Sequence, residues 1–454
     1  MKSALTGDSN YLKEVREQYE QYPYPPRDPN NEKSSFRCAR PCALDCLNYY
    51  HYSGKRDFTK GFRALVAGGG TGDVTITLAE QFRGLDAEII QLDISTSSLQ
   101  IAKERAKVRG LDNITWIHGS LLDAQTLFDG QFDLIESSGV LHHLEDPEAG
   151  LAALAPLLKD DGVMSLMLYA RYGRASVYQM QELMRMVNKD EPNMQHKVDN
   201  CKNLLKYLPA ANPIMRVPGM FFDIKQYGDI GIYDLFLHSH DRAYSVPEVY
   251  RFLASSGLQP THFFFENQPQ GNDVYNPEVY FKDGGLSNEI SHLSLQEKQA
   301  AAELMNGTMA KHSFYAAKYL PQLPGLDDSG NVPFFYMTIS DAHYADFYCS
   351  VSNAKVGDTL KSEHLNHEVF YTVTPHLARI CKYMDGTKSL GEIFKEVRAS
   401  YAATERKPSM GELSSEFKRL FSAFNKKDMM FLRHKSVPKT IRVNEINARM
   451  DGTV

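Results

Sequence analysis

Phe62-Arg63-Ala64-Leu65-Val66-Ala67-Gly68-Gly69-Gly70-Thr71-Gly72-Asp73, continuing into Val74-Thr75-Ile76-Thr77-Leu78-Ala79, is the stretch on which the fold turns. A short apolar run breaks into glycines and then resumes with helical spacing, which reads as a buried strand, a tight turn and a helix. Glycine carries no Cβ, so such a turn can take positive φ and let a ligand approach the backbone at the helix N-terminus. A second apolar run, Ala87-Glu88-Ile89-Ile90-Gln91-Leu92-Asp93, ends in an acid. The carboxylate of Asp93 is placed to accept both hydroxyls of a ribose lying across the strand ends.

The glycines do not follow the G-x-G-x-x-G spacing of a dinucleotide-binding turn, which weighs against a nicotinamide-linked oxidoreductase. Ala67 to Asp73 instead resembles motif I of class I S-adenosylmethionine-dependent methyltransferases, with Asp93 matching that family's acidic ribose ligand. Asn113-Ile114-Thr115-Trp116-Ile117-His118-Gly119-Ser120-Leu121-Leu122-Asp123 is similar to the strand and loop that hold the adenine. Phe132-Asp133-Leu134-Ile135-Glu136-Ser137-Ser138-Gly139-Val140-Leu141-His142-His143-Leu144 resembles motif IV, including its Leu-His-His. The resemblance implies S-adenosyl-L-methionine as cofactor, with Ala67, Gly68, Gly69, Gly70, Gly72, Asp93 and Ile94 around its methionine and ribose portions. It places Ser120 and Leu121 beside the adenine, and Glu136, Ser137 and Ser138 beneath the methionine. Asp73 is expected either to bind the α-amino group or to serve as an acid in the first helical turn.

A chain of 454 residues exceeds the usual size of a single core, so two or three domains are expected. Hydrophobic residues at 43% and charged residues at 23% describe an ordinary globular protein. The net charge of −6 argues against generic nucleic-acid binding. No segment approaches the roughly 18 uninterrupted apolar residues of a membrane span. Met1 to Asp8 lacks the apolar centre of a signal peptide, so a cytoplasmic location and free thiols at the six cysteines are expected.

Three regions are expected: an N-terminal cap over residues 1–60, a core over 61–320, and a small module over 325–454. Tyr11, Leu12, Val15, Tyr19 and Tyr22 recur at helical spacing and predict a helix over 9–22, stopped by Pro23, Pro25 and Pro26. That aromatic and proline-rich segment reads either as a wall over the transferred methyl group or as a packing linker. Cys38, Cys42 and Cys46 read as one buried helical face rather than as metal ligands. The core reads as a doubly wound, seven-stranded Rossmann-like α/β sheet. Its strands are predicted at 63–67, 87–92, 114–117, 132–136 and 162–169, the last entered by a turn at Asp161-Gly162, with a closing pair at 261–266 and 311–318. Two helical insertions, 170–244 and 267–310, leave near the ligand edge and are the natural substrate-selecting elements. After a linker at 321–330, helices over 375–384, 389–397 and 411–425 and a strand at 429–433 suggest a winged-helix-like α+β module for dimerisation or peptide docking.

Methyl transfer draws most of its acceleration from aligning nucleophile and methyl group, and needs a general base only when the acceptor arrives protonated. His142 and His143 follow the fourth strand at the catalytic edge, where one of them, His142 above all, is a candidate base. Asp234-Leu235-Phe236-Leu237-His238-Ser239-His240-Asp241-Arg242-Ala243-Tyr244 gathers acid, imidazole, guanidinium and phenol. His238 and His240 are read as polar substrate contacts rather than as a metal pair, and Arg242 as a clamp for a substrate carboxylate or a partner of a neighbouring acid. Tyr22, Tyr24, His142, Asp241 and Arg242 are therefore expected to converge above the methyl group. The acceptor is expected to be a small molecule or a peptide or protein side chain, offering nitrogen or oxygen. A non-catalytic, cofactor-binding regulatory protein is the second reading.

Overall fold

The computed structural model describes residues 2–3, 12–34, 36–264, 271–281, 287–336, 341–364, 367–441 and 445–446. Strands β1 (Phe62–Ala67), β2 (Ala87–Asp93), β3 (Ile114–His118), β4 (Phe132–Ser138), β5 (Leu158–Tyr169), β6 (Gln259–Phe264) and β7 (Lys311–Ala317) form one sheet in the order β3-β2-β1-β4-β5-β7-β6. The first five are parallel, and β7 runs antiparallel between β5 and β6. Lys2–Ser3 adds a short parallel pairing at the free edge of β3. Leu65, Val66, Ile89, Ile90, Leu134 and Ile135 are all buried, the continuous apolar pattern of parallel strands covered on both faces. The helices Asp73–Gln81 and Thr96–Arg109 supply part of that cover. Strand order reverses at β1, which pairs with β2 on one side and β4 on the other, so a crevice opens beyond its carboxyl end.

The fifth strand differs from its sequence expectation. It begins at Leu158 and runs through Asp161-Gly162 without a turn, because a register shift against β4 absorbs the irregularity. A Cβ at Gly162 would meet the Phe132 carbonyl oxygen at 2.9 Å, so the glycine marks a close approach of strands rather than a corner. The helix Val246–Ala254 opens on a capping box, with Glu248 accepting from the Ser245 N–H at 2.8 Å.

The N-terminal helix spans Lys13–Gln21, shorter than predicted, and Tyr11 lies outside the described residues. It lies against the start of the helix Thr96–Arg109, where the Glu20 carboxylate accepts from the N–H groups of Thr96 at 2.8 Å and Ser97 at 3.0 Å. The prolines then carry the chain as a strap along the glycine turn, and Thr71 Oγ1 donates to the Pro25 carbonyl at 2.7 Å. Arg27 binds Asp73 at 2.6 Å and buried Arg105 binds Glu32 at 2.7 Å, so ion pairs tie the downstream end of the strap. The cysteine face expected of a single helix is broken at Pro41: Arg40–Cys42 is one 3-10 turn and the α-helix starts at Leu44. Cys42 and Cys46 are nevertheless buried in the apolar core, whereas Cys38 is only partly buried.

The first insertion forms a small helical body from Ala175–Val187, Met194–Leu205, Phe222–Tyr227 and Asp229–Phe236, with its own core of Val177, Met180, Val198, Ile232 and Phe236. In the second, the helix Leu295–Asn306 sends buried Glu303 to the Val246 N–H at 2.7 Å and to His312 at 3.1 Å. Glu266 of the predicted sixth strand lies outside the described residues.

Past the linker the chain does not form the detached module that its composition suggests. Strand β8 (Asn331–Phe335) pairs antiparallel with β11 (Met430–His434), and between them lie a helix Asp341–Asn353, a hairpin β9 (Thr359–His364) and β10 (His367–Thr372), and helices Leu377–Tyr383, Leu390–Ala399 and Met410–Asn425. The three helices and last strand occur in the predicted order, but the partner of that strand precedes all three helices, and the hairpin also lies ahead of them. Their apolar residues continue the core under the sheet. Tyr49 stacks on Phe431 with ring centres 4.7 Å apart, and Tyr50 stacks on His262 of β6 at 3.6 Å. Asp428, fully buried at φ 53°, binds both Arg40 and Tyr50. Linker composition reports local backbone preference and is silent about which apolar face the returning chain will cover.

Candidate active site

A cavity of about 290 Å³ opens beyond the carboxyl ends of β1, β2 and β4. One end is walled by Gly68, Gly69 and Gly70 from the first turn, Asp93 and Ile94 after β2, Gly119, Ser120 and Leu121 after β3, and Glu136 and Ser138 from β4. Gly70 has φ +51°, and a Cβ there would meet the Tyr24 carbonyl oxygen of the strap at 2.9 Å, so only glycine fits between turn and strap. Asp93 accepts from the Gly70 N–H at 2.7 Å and the Ser95 N–H at 2.8 Å. Burial still pushes its pKa up to about 6 against those two hydrogen bonds. Burial likewise raises Glu136 to about 7, with Ser138 pulling the other way. Among the described residues Glu136 Oε1 has no hydrogen-bond partner.

The other end is walled by Val15, Tyr19, Tyr24 and Pro25 from the strap, Val140, His143 and Leu144 after β4, Met167 and Tyr169 at the end of β5, and Asp234 from the first insertion. His143 Nδ1 lies 2.9 Å from the His240 carbonyl oxygen. A carbonyl only accepts, so Nδ1 carries the proton and Nε2 keeps its lone pair. Burial lowers the pKa of this imidazole to about 4, so it is neutral at physiological pH. His143 stacks on His238 with ring centres 3.9 Å apart. His238 Nδ1 in turn accepts from the His240 N–H at 3.2 Å, which leaves Nε2 to donate to the Tyr19 hydroxyl oxygen at 3.2 Å. The Tyr19 hydroxyl hydrogen is thereby free to donate elsewhere.

Residues 65–164 match a methyltransferase domain family. Over 319 residues the chain is 31% identical to an uncharacterized protein of Synechococcus sp., covering 69% of this chain and 73% of that one. The chain carries a methyltransferase domain with the Rossmann-like sheet order of the class I fold. It is also 35% identical over 112 residues to the tRNA 5-carboxymethoxyuridine methyltransferase of Escherichia coli (strain K12), 24% of this chain and 41% of that enzyme. Among solved structures, PKMT2 from Rickettsia typhi in complex with AdoHcy shares the fold with a TM-score of 0.60 at 14% identity, covering 89% of this chain and 76% of that one.

The cofactor of this methyltransferase is S-adenosylmethionine, and the residues at the first end of the cavity fit it: a side-chain-free turn, a carboxylate with lone pairs to spare at Asp93, and an unpaired acidic oxygen at Glu136. Three residues predicted around the cofactor lie outside the cavity. Ser137 alternates with Glu136 and Ser138 along β4, so it faces the other way and donates to the Ala67 carbonyl at 3.0 Å. Ala67 is fully buried in the sheet, and Gly72 packs under the helix Thr96–Arg109, where a Cβ would meet that of Ala102 at 2.8 Å. Asp73 borders the cavity, but its carboxylate is gripped by Arg27 at 2.6 Å and Arg105 at 2.7 Å. Burial would raise its pKa, and the two guanidinium groups more than reverse this.

The predicted catalytic set divides more sharply. Tyr24 reaches the cavity and donates to Asp223 Oδ2 at 3.0 Å. His142 does not: it is fully buried behind its neighbour in the same 3-10 turn, 4.2 Å from the His143 ring and 4.1 Å from the Tyr169 ring. Tyr22 packs outside on Tyr233 at 5.1 Å. Asp241 lies beneath the wall, accepting from Gln181 at 3.1 Å, 3.7 Å from Arg174. Arg242 points to the surface and pairs with Glu148 at 3.0 Å. The cavity at this end is bordered instead by Tyr19, His143, Tyr169 and Asp234. Asp234 opens the acid-and-imidazole segment already singled out in the sequence, and its helical position, rather than its type, brings it to the cavity.

Proposed function

We propose that this methyltransferase moves a methyl group to a nitrogen or oxygen nucleophile on a small molecule or on a peptide or protein side chain. The observation that carries this reading is that one continuous cavity joins the glycine turn and Asp93 to an enclosed chamber of tyrosine, histidine and aspartate side chains. When bound, S-adenosylmethionine supplies an electrophilic methyl group on a sulfonium, which becomes a neutral thioether once the methyl has left. Gly68 and Gly70 present bare backbone to it, Asp93 accepts the ribose hydroxyls, Ser120 and Leu121 flank the adenine, and Glu136 with Ser138 receives the amino-acid end. Tyr19 and Tyr24 orient the acceptor, and His143 Nε2, which keeps its lone pair, offers a proton-accepting group to an acceptor N–H or O–H in the transition state.

The acceptors of the relatives do not transfer directly. A match of 112 residues is too short to include every element that builds the chamber, which draws on residues from Val15 to Asp234. Incubating the protein with methyl-labelled S-adenosylmethionine and fractionated extract tests the reading. Label is expected in small molecules or polypeptide. Label in RNA alone would overturn the acceptor class, and no label in any fraction despite tight AdoHcy binding would favour a regulatory role.

A further inference from the structure

We propose that the acceptor enters the chamber as a cation, an alkylammonium group, and that the Asp234 carboxylate is its counter-charge. This rests on the reading of the cavity as the site of methyl transfer. Asp234 is 8% exposed and borders the cavity, yet among the described residues no donor hydrogen-bonds to its carboxylate. The contrast is with other buried acids of the same molecule. Asp93 holds two backbone N–H groups, and Asp133 holds Arg56 at 2.9 Å, Lys159 at 2.7 Å and the Arg63 N–H at 2.9 Å. A carboxylate taken out of water without a partner is costly unless something else brings the compensating charge.

The surroundings are short of positive charge. Asp223 and Asp241 stand near Asp234, and Arg174 is the guanidinium that acts on it. Arg174 lies 3.5 Å from the centre of the Tyr169 ring and 3.7 Å from Asp241, and its Nε and Nη2 make no hydrogen bond among the described residues, so a single guanidinium is shared between Asp241 and Asp234. Burial drives His142, His143 and His238 to the neutral form. Asp234 and Asp241 thus share one guanidinium, and Asp223, which accepts from the Tyr24 hydroxyl, adds a third acid beside Asp234. Tyr19, Tyr24 and Tyr169 line the same end, and aromatic faces attract a desolvated cation. An anionic acceptor would be repelled here, and a neutral alcohol would leave Asp234 uncompensated.

Burial and the two neighbouring acids raise Asp234 to about 7 against the pull of Arg174, so it can also hold a proton. Before attack the ammonium must become an amine: one N–H proton moves to an Asp234 carboxylate oxygen, and the electrons of that bond stay on nitrogen as the lone pair that takes the methyl group.

The test is calorimetry of the full chain saturated with AdoHcy, titrated separately with n-butylammonium, 1-butanol and butyrate. We expect butylammonium to bind at least roughly tenfold more tightly than 1-butanol, as for one charge-assisted contact, and butyrate not to bind. Asp234→Asn should erase the preference for the cation while AdoHcy affinity stays within about threefold. Equal binding of cation and alcohol by the wild-type chain would overturn the proposal without needing any variant to fold. A parallel loss of AdoHcy affinity in Asp234→Asn would also overturn it, by assigning Asp234 to the cofactor. Failure of the wild-type chain to bind AdoHcy at all would instead sink the methyl-transfer reading beneath it.

Discussion

At one end of the cavity the wall is backbone and short side chains from consecutive strand ends, Gly68 to Gly70, Asp93 and Ser120; at the other it is Tyr19, Tyr24, Tyr169 and Asp234, gathered from the strap, the sheet and the first insertion. The first end is made by the parallel sheet itself, since every strand of such a sheet delivers its following loop to the same edge. The second is made by packing of pieces added around the sheet. Their contacts, such as Tyr24 on Asp223 and Tyr19 on His238, join residues 199 and 219 positions apart. A cofactor end can therefore be shared widely among relatives while the acceptor end changes with each insertion.

The largest expected effect removes both ends together. A chain ended at Gly325 loses β8, β11 and the aromatic cluster that buries Tyr49, Tyr50 and Phe264, and should be insoluble or lack cooperative unfolding by circular dichroism. A soluble truncated chain with full AdoHcy affinity would show that the sheet sustains its cofactor end alone. His143→Ala should next lower turnover by roughly 10²-fold or more while AdoHcy affinity changes by no more than a few fold, since general-base contributions are of that order. If affinity fell as far as rate, the division of the cavity at His143 would be misplaced.

Asp93→Ala should show the reverse pattern, weakening AdoHcy by roughly 1.5–3 kcal/mol through loss of charge-assisted hydrogen bonds. The same residue sets a pH dependence. The free site has Asp93 at about 6, and a ligand donating hydroxyl hydrogens prefers the ionised carboxylate, so affinity should fall as pH drops through that value. Asp93→Asn should flatten this profile, as read by calorimetry across the same pH range. The smallest effect is expected of Arg242→Ala, whose exposed pair with Glu148 is worth at most about 1 kcal/mol and which touches neither end. A loss of turnover beyond about twofold in that variant would bring the surface segment into the acceptor end.

What the sequence disclosed follows the same division. The strand, turn and helix around Gly68 to Asp73 are local events, and the acid at Asp93 needs only the end of the next strand to find its place. Ser137 shares the motif but not the cavity, because membership in a motif says nothing about which face of β4 a residue takes, although alternation along the strand carries that signal. His142 and His143 are adjacent, and only the 3-10 turn decides which ring meets the cavity. Asp241 and Arg242 failed for a different reason: the loop after the helix Asp229–Phe236 turns them inward under Gln181 and outward to Glu148, contacts that no local pattern encodes. Prolines and glycines mark a linker before the final third, whereas Asp428 and Phe431 find their partners in the helix Leu44–Tyr50, which no local composition signals.

The strap over the glycine turn makes occupancy of the cavity and order in the N-terminal segment two readings of one equilibrium. Tyr19, Tyr24 and Pro25 border the space, and the same segment is tied to the turn through Thr71 and Asp73 and to the helix Thr96–Arg109 through Thr96. Linkage is reciprocal, so a ligand that gains contacts with the settled strap must slow amide exchange along residues 13–27 by the same free energy that the strap adds to the ligand's affinity. Cutting the Arg27 tie would then be felt as faster ligand escape, although Arg27 itself stands outside the cavity wall.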